Sequence, residues 1–327
     1  MNTDQTDSTA EFILEITEGW FNKANIINVS HLHGHGPNTA YHVKIENSAD
    51  VVVKHADNDG DSELLHREAV VLKHLQGSDA IPTPKIHKYN WDDAPSQILI
   101  MDLITGKPIK QIIQSAPAHI RPQLFAEVGE NIAQIHTHTR FNNPGKIVDW
   151  NDQEIKVETK QTWGEILVTQ LSDRVISLAD TEFEQLAEEV WEVMSERLYQ
   201  LGTKTKFSLL HGDIGDDNVL HNEKRISGIL DWERSLIGHP EYDLCRAEVR
   251  LFFNNWGEKT LSQQMLYKGY QSIRELDAGF SQRRRYYLTM FYLHSLEYLS
   301  RTSSSNVESQ LTDRVAECIR TFIGQIE

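Results

Sequence analysis

Two polar segments enclose a predicted β-hairpin in the second half of the chain, and they constrain the fold more than any other feature. The first, HGDIGDDN, ends at Asn218, and the second, DWE, begins at Asp231. If residues 223–224 form the turn, both side chains lie at the open end of the hairpin. Both carry the oxygen atoms that a hard cation such as Mg²⁺ prefers. The spacing therefore predicts a divalent-metal site beside the hairpin.

Asp213 stands where the apolar run FSLL gives way to a polar turn. A carboxylate there can accept a hydrogen bond from a hydroxyl group and position it for in-line attack on a phosphate. Asp231 also ends an apolar run, and a carboxylate at the edge of a core favours a neighbouring cation. The alternative is that both segments are ordinary turns with Asx hydrogen bonds, which explains one such segment better than two. Together they predict phosphoryl transfer.

Periodicity predicts two lobes of different character. A leading helix at about residues 8–24 precedes three extended runs, a helix at about residues 62–76 and two more extended runs. Helical periodicity dominates afterwards, apart from the hairpin. We therefore expect an α+β, bilobal fold, with a small antiparallel sheet and one helix in residues 1–103 and a larger, mainly helical lobe in residues 104–327.

The helix DSELLHREAVVLKHLQ places Glu68 on its apolar stripe. A buried carboxylate is costly unless it is paired, and Lys54, at the end of VVVK, is the nearest candidate in chain order. Such a pair would hold the ammonium group toward the phosphates of a nucleotide. The alternative is that Glu68 reaches solvent and Lys54 lies on the surface.

The turn HGHGPNT joins two predicted strands at residues 33–39. Gly34 and Gly36 would let backbone N–H groups approach phosphate oxygens, with Asn38 and Thr39 at the end of the turn. Hairpin turns rich in glycine are common, so this pattern counts only because it precedes VVVK.

Three histidines in the same stretch, His31, His33 and His35, alternate along the chain. Alternate strand residues share a face, so the three imidazoles admit a zinc or iron hydrolase centre. The other interpretations are exposed loop residues or a histidine near a nucleotide. No second histidine-rich strand supports the metal centre.

Composition excludes several functions. The net charge of −16 argues against binding to a nucleic-acid backbone, and it is compatible with either a cationic small molecule or simple solubility. The two cysteines, Cys245 and Cys318, cannot build a disulfide framework. The N-terminus is polar and no apolar run is long enough to span a bilayer, so we expect no membrane partner and a cytoplasmic location. The run Arg283–Arg285 is expected on a solvated face.

These residues resemble the aminoglycoside phosphotransferase and choline kinase family, which has a protein-kinase-like fold. The resemblance covers about Ile26 to Leu244 and is strongest in HGDIGDDN and GILDWERSLIGHPEYDL. It implies Asp213 as the catalytic base, with Asn218 and Asp231 as Mg²⁺ ligands. It also implies that Lys54 and Glu68 clamp phosphate.

The resemblance further implies a base of ATP or GTP docked on a hinge, through backbone atoms of Asp102, Leu103 and Ile104. Asp243 and His136 are expected to be structural, and His211 to orient the catalytic loop. The family often has His-Pro-Gly-Asn where this chain has Gly-Asp-Asp-Asn. Asp216 and Asp217 therefore either contact a substrate amine or face water.

The sequence thus predicts an enzyme that moves the γ-phosphoryl group of a nucleoside triphosphate to a hydroxyl of a small, cationic molecule. Aminoglycoside-type antibiotics come first, as substrates of a resistance enzyme, followed by choline-like amino alcohols, other antibiotics and sugar derivatives. Glu241 and Glu248 are candidates for lining an amine pocket. A protein kinase would have His-Arg-Asp and Asp-Phe-Gly in place of His-Gly-Asp and Asp-Trp-Glu. A non-catalytic nucleotide-binding scaffold is the remaining alternative.

Overall fold

The computed structural model describes residues 26–32, 38–56, 59–90, 97–151, 154–201, 206–222, 224–252, 259–302 and 306–326. The predicted leading helix at residues 8–24 lies outside the described residues, as do five residues of the predicted glycine turn, namely His33, Gly34, His35, Gly36 and Pro37.

The chain groups into two compact units. Unit 1 comprises Met1–Lys107, Val148–Lys156 and Leu220–Arg234. Unit 2 comprises Pro108–Ile147, Val157–Val219 and Ser235–Glu327. The segment that contains Asp231 thus groups with unit 1, whereas Asp213 and Asn218 lie in unit 2. Division of the chain into lobes at residues 103 and 104 stays a prediction.

Most of the strands are short. They are β1 (Ile26–Leu32), β2 (Thr39–Ile45), β3 (Val51–Ala56), β4 (Ile86–Tyr89), β5 (Gln97–Asp102), β6 (Lys107–Pro108), β7 (Arg140–Phe141), β8 (Gly145–Asn151), β9 (Glu154–Glu158), β10 (Phe207–Leu210), β11 (Val219–His221), β12 (Ile226–Ile229) and β13 (Leu236–Gly238).

The helices lie mostly in the second half of the chain. They are α1 (Asp59–Leu75), α2 (Ile109–Ser115), α3 (Arg121–His138), α4 (Trp163–Leu178), α5 (Glu184–Tyr199), α6 (Pro240–Phe252), α7 (Lys259–Gln271), α8 (Phe280–Thr302) and α9 (Asn306–Ile323), with a 3₁₀ turn at Trp232–Arg234. None of the helices in the described part of the chain is long and apolar enough to cross a lipid bilayer.

Unit 1 is built on an antiparallel sheet with the strand order β1-β2-β3-β5-β4. Strand β3 is buried along its whole length because β2 and β5 pair with it on either side and α1 packs against it. Val51 and Val53 face an apolar cluster that includes Tyr41 and Ile100. Because strand residues alternate between faces, Lys54 points to the opposite side, where α1 lies. The predicted order of strands and helix is observed.

The predicted hairpin is formed by β11 and β12, and the Asn222 N–H donates to the Arg225 carbonyl oxygen at 3.0 Å across its end. Strand β6 lies on the other side of β11. Glu223, one of the two predicted turn residues, lies outside the described residues.

Unit 2 is mainly helical, and its densest packing is between α3 and α7. A Cβ on Gly129 would lie 2.0 Å from the Leu266 carbonyl oxygen, and one on Gly269 would lie 1.9 Å from the Ala126 carbonyl oxygen. The two helix backbones therefore touch at positions where only glycine fits. Strand β10, which leads into Asp213, pairs antiparallel with β7 and β13.

Candidate active site

Lys54 and Glu68 form a buried ion pair in unit 1. The Lys54 Nζ lies 2.9 and 2.8 Å from the two carboxylate oxygens of Glu68. Lys54 is 7% exposed and Glu68 1% exposed, so neither charge is solvated by bulk water. The sequence analysis paired these two residues because Glu68 lies on the apolar stripe of α1, and the structure brings them into contact.

Asp231 supplies a second carboxylate to the same ammonium group. Its Oδ1 atom lies 2.6 Å from Lys54 Nζ, and its side chain is 48% exposed. Asp231 has a φ of 62°, which is uncommon for a residue other than glycine and is frequent at functional sites. Burial works to lower the pKa of Lys54, but Glu68 and Asp231 outweigh it and raise that pKa, so the lysine stays charged.

Asn38 links the end of the predicted glycine turn to the segment that carries Asp231. Its Nδ2 atom donates to Glu233 Oε2 at 3.1 Å, and the Arg67 guanidinium donates to the Glu233 carbonyl oxygen at 3.0 Å. The Asn38 Oδ1 atom is buried and has no hydrogen-bond partner among the described residues. Thr39 begins β2, opposite His55 of β3. The sequence analysis predicted no role for Glu233 or Arg67. The only indication of Glu233 was its place as the last residue of the DWE motif.

The predicted hinge follows β5. The Asp102 N–H donates to the Lys85 carbonyl oxygen at 3.0 Å, and the Leu103 N–H makes a long hydrogen bond of 3.4 Å to the Asp50 carbonyl oxygen. Within the described residues, the Ile104 N–H has no backbone acceptor. The Ile104 side chain packs on β12, because a Cβ on Gly228 would lie 2.7 Å from its Cγ2 atom.

Asp213 lies in unit 2, on a turn that Asp243 organises from α6. The Asp243 carboxylate accepts from the backbone N–H of His211 at 2.6 Å and of Gly212 at 2.8 Å. His136 Nε2 lies 3.4 Å from Asp243 Oδ2. The side chains of Asp243, His136 and His211 are all buried. The Asp213 N–H donates to His211 Nδ1 at 3.2 Å, so His211 contacts the backbone of the loop.

The Asp213 carboxylate faces two arginines of α6. Its Oδ1 atom lies 2.9 Å from Arg246 Nη2 and 4.0 Å from Arg250 Nε. Burial tends to raise the pKa of Asp213, but the two guanidinium groups outweigh it and hold that pKa below its usual range. The sequence analysis missed both arginines, although a spacing of four residues places two side chains on one face of a helix.

Asn218 closes the same loop. Its Nδ2 atom donates to the Asp213 carbonyl oxygen at 2.9 Å, and the residue is 8% exposed. The amide nitrogen is thus committed to the loop, and the amide oxygen is the atom suited to a cation. Asn218 and the half-exposed Asp231 have the oxygen donors that fit Mg²⁺. Their joint binding of one ion stays a prediction.

The four acidic residues predicted near a substrate amine have arginine or lysine neighbours. Asp217 lies 3.6 Å from Lys110 Nζ and 4.0 Å from Arg250 Nη2. Burial and the nearby Asp217 raise the pKa of Asp216. Glu241 and Glu248 are buried, and each is paired with an arginine of α8, respectively Arg283 and Arg284. Their contact with an acceptor stays a prediction.

The expectation of a solvated arginine run is wrong for Arg283 and Arg284. Their side chains are 21% and 23% exposed, and they neutralise buried glutamates of α6. The reason is long-range packing, because α8 brings the run against carboxylates far away along the chain.

Of the three predicted histidines, only His31 lies in the described part of the chain. Its ring makes an edge contact with Tyr41, with the centroids 5.5 Å apart. Among the described residues, no three His, Cys, Asp or Glu side chains converge in a way that would hold a metal ion.

A family model described as "Phosphotransferase enzyme family" matches residues 31–283. The chain belongs to this phosphotransferase family. The expected family resemblance is confirmed, and so is the α+β, protein-kinase-like fold. The family is one of phosphotransferases, and the expected activity as a small-molecule kinase stays a prediction.

Solved structures of several kinases and phosphotransferases share the fold at low sequence identity. The aminoglycoside phosphotransferase APH(4)-Ia has a TM-score of 0.69 and is 15% identical, over 96% of this chain and 98% of that one. Amicoumacin kinase hAmiN, solved with AMP-PNP, Ca²⁺ and Ami, has a TM-score of 0.65 and is 15% identical over the full length of both chains, 100% of each. A putative fructosamine-3-kinase from Thermobifida fusca has a TM-score of 0.63 and is 17% identical, over 94% of this chain and 98% of that one.

Two curated relatives are much longer proteins. Acyl-CoA dehydrogenase family member 11 of Pongo abelii is 26% identical over 199 residues, which are 58% of this chain. The same protein of Homo sapiens is 24% identical over 199 residues. The chain spans 23% of the length of each.

Proposed function

We propose that this phosphotransferase moves the γ-phosphoryl group of ATP or GTP to a hydroxyl group of a small molecule. The observation that carries the proposal is the Lys54 ammonium group, held by Glu68 and Asp231 in the interior of unit 1. A buried ammonium group that is kept charged and fixed in position suits the phosphates of a nucleotide, because it needs no reorganisation when they bind.

The nucleotide would contact unit 1 through the hinge and the end of the glycine turn. The Ile104 backbone is the candidate for binding the base, and Asn38 and Thr39 are candidates for the phosphates. An APH(4)-Ia variant has been solved with ADP and hygromycin B, which supports a nucleotide co-substrate for a chain of this fold. Hinge recognition through backbone atoms does not choose between ATP and GTP.

Asn218 and Asp231 would hold Mg²⁺. When bound, this ion would neutralise charge on the triphosphate and so favour transfer. The amide oxygen of Asn218 is oriented by the hydrogen bond from its Nδ2 atom to the Asp213 backbone. The half-exposed carboxylate of Asp231 is the more accessible of the two groups that neutralise Lys54.

Asp213 would orient the acceptor hydroxyl. Arg246 and Arg250 keep the Asp213 carboxylate ionised, so it can accept the hydrogen bond of that hydroxyl at neutral pH. Phosphoryl transfer proceeds through a loose transition state, so positioning and electrostatics matter more than early removal of the proton.

The acceptor is the third component of the proposed reaction. A cationic acceptor, with aminoglycoside-type antibiotics first, is favoured by the net charge of −16 and by the hygromycin B complex of APH(4)-Ia. The buried pairs that Glu241 and Glu248 make with arginines reduce that support. A cytoplasmic location, expected from the composition, belongs to the same proposal.

The test is ADP release from ATP against a panel of aminoglycosides, other antibiotics, amino alcohols, sugars and hydroxy acids, with wild type and Asp213→Asn. We expect one class to stimulate ADP release by the wild type. The variant should lose about 10²-fold or more in turnover and still bind nucleotide. Near wild-type turnover by the variant would refute the role of Asp213, and a wild type that binds no nucleotide would refute the proposal.

A further inference from the structure

Arg246 and Arg250 lie one helical turn apart on α6 and face the carboxylate of Asp213. The Arg246 side chain is 12% exposed, and its guanidinium carbon lies 5.2 Å from the centre of the Phe291 ring. Arg250 packs against the loop, because a Cβ on Gly215 would lie 2.7 Å from Arg250 Nε. The Arg246 side chain is therefore held inside the protein, whereas the Arg250 side chain contacts the loop and is 36% exposed.

The hydrogen-bonding capacity of this pair is only partly satisfied by the described residues. The Nε atoms of both Arg246 and Arg250 are buried and have no hydrogen-bond partner among the described residues. Each guanidinium has five N–H donors, and leaving a buried donor unpaired is costly. The carboxylates nearby are shared, since Asp213 faces both arginines and Asp217 faces Arg250 and Lys110.

Arg174 adds positive charge near His294, a residue that Arg246 also influences. Arg174 is hydrogen-bonded to Glu297 at 2.9 Å, and that carboxylate is also shared with Arg301 at 3.3 Å. Burial, Arg246 and Arg174 lower the pKa of His294 to about 4, so this histidine is neutral near pH 7. An ammonium group brought beside Asp213 would be repelled by Arg246 and Arg250. An anion would be attracted by both guanidinium groups and would contact them through their Nη atoms, because the Nε atoms are buried.

We infer that Arg246 and Arg250 bind an anionic group of the acceptor, a carboxylate or a phosphate, next to the hydroxyl that Asp213 orients. The inference rests on the phosphoryl transfer proposed above, and it replaces the cationic acceptor proposed there with an anionic one. A planar guanidinium pairs with either anion through two parallel hydrogen bonds. A hydroxyl group close to the anion would then lie against Asp213, which explains why a catalytic carboxylate shares its surroundings with two cations.

The test uses four probes that share one carbon skeleton: glycerol, glycerate, glycerol 3-phosphate and 3-amino-1,2-propanediol. Calorimetry or NMR titration of the full chain measures the affinity for each. We expect at least one anion to bind about tenfold or more tightly than both glycerol and the amine. The two anions separate a carboxylate from a phosphate ester. Equal affinities across the set, or a preference for the amine, would overturn the inference.

Variants of Arg250 test whether the preference for anions depends on the pair formed by Arg246 and Arg250. Arg250→Gln should reduce the affinity for the preferred anion by about tenfold and leave the affinity for glycerol unchanged, and Arg250→Lys should recover part of the loss. Arg314→Gln removes the same charge from an exposed position of α9 and is the matched control. An anion preference that survives Arg250→Gln would also overturn the inference.

ATP binding is measured on the same samples to separate the two claims. If the wild type binds ATP but shows no preference for anions, the inference fails and the proposed function stands. If the wild type does not bind ATP, the proposed function fails first. Unfolding curves of the variants show whether each one is folded.

Discussion

Asp231 Oδ1 lies 2.6 Å from Lys54 Nζ, although the two residues are far apart in the sequence. The ammonium group therefore belongs to two carboxylates, one sealed in the interior at Glu68 and one half exposed at Asp231. Glu68 keeps the lysine in place, and Asp231 is the carboxylate that remains accessible to a cation.

The buried pair makes a prediction about stability. Lys54→Met should lower the free energy of unfolding by about 3–5 kcal/mol, because it leaves the Glu68 carboxylate buried without its partner. The double variant Lys54→Met/Glu68→Gln should recover much of that loss. Urea unfolding of the single and double variants measures both effects.

The control for this prediction is Lys156→Met, which breaks an exposed pair with Asp149. Its cost should stay below about 1 kcal/mol. Equal costs for Lys54→Met and Lys156→Met would show that the Lys54–Glu68 pair contributes no more than a surface pair.

Asp231 makes a prediction about metal. In the wild type, removal of Mg²⁺ by chelation should weaken ATP binding by about tenfold or more, as expected for loss of a bridging cation. In Asp231→Asn, which keeps the shape of the side chain, chelation should have much less effect. Titration of ATP with and without Mg²⁺ measures the difference. Asp79→Asn, at an exposed position of unit 1, is the control and should behave like the wild type.

The packing of the hinge residue Ile104 against Gly228 leads to a prediction about ATP binding and stability. Gly228→Ala should weaken ATP binding or lower the free energy of unfolding by about 1–3 kcal/mol, because the new Cβ would lie 2.7 Å from Ile104 Cγ2. Adding Ile104→Ala removes the obstructing atom and should restore the loss. ATP titration and thermal unfolding measure the two properties, and a Gly228→Ala chain that matches the wild type in both would contradict the packing.

His239 makes a prediction about pH. Burial, followed by the charges of Arg283 and Arg274, lowers the pKa of His239 from 6.5 to about 3. Below pH 6.5 the unfolded chain therefore binds a proton that the folded chain does not. This contribution to stability is complete above pH 6.5 and is lost as the pH falls, with a slope of up to about 1.4 kcal/mol per pH unit.

Urea unfolding between about pH 4 and pH 8 measures that slope. In His239→Gln the slope should be reduced, since the titrating group is gone. His119→Gln, at an exposed position, should keep the wild-type slope. A His239→Gln chain with an unchanged slope would assign the pH dependence to other groups.

The contact between Lys54 and Glu68 could be predicted because it depends on local pattern. Glu68 falls on the apolar stripe of α1, so its charge required a partner, and Lys54 was the nearest candidate in chain order. Asn218 and Asp231 flank a short hairpin, and their joint binding of one ion stays a prediction.

Other contacts depended on the packing of distant elements. Glu241 and Glu248 were expected near an acceptor, but α8 brings Arg283 and Arg284 against them. Arg246 and Arg250 reach Asp213 because Asp243, on the same helix, binds the backbone of the loop that carries Asp213. A net charge of −16 gave no indication of this local positive charge.

The sequence by itself indicated the family, the order of strands and helix between residues 26 and 102, and the candidate residues for phosphoryl transfer, since motif spacing and periodicity are local properties of the chain. Only the tertiary structure decided which charges are neutralised in the interior and which arginine donors near Asp213 lack a partner among the described residues. The physical reason is that the burial and the pairing of charged side chains depend on how separate helices pack. The residue spacing within one segment does not predict that packing.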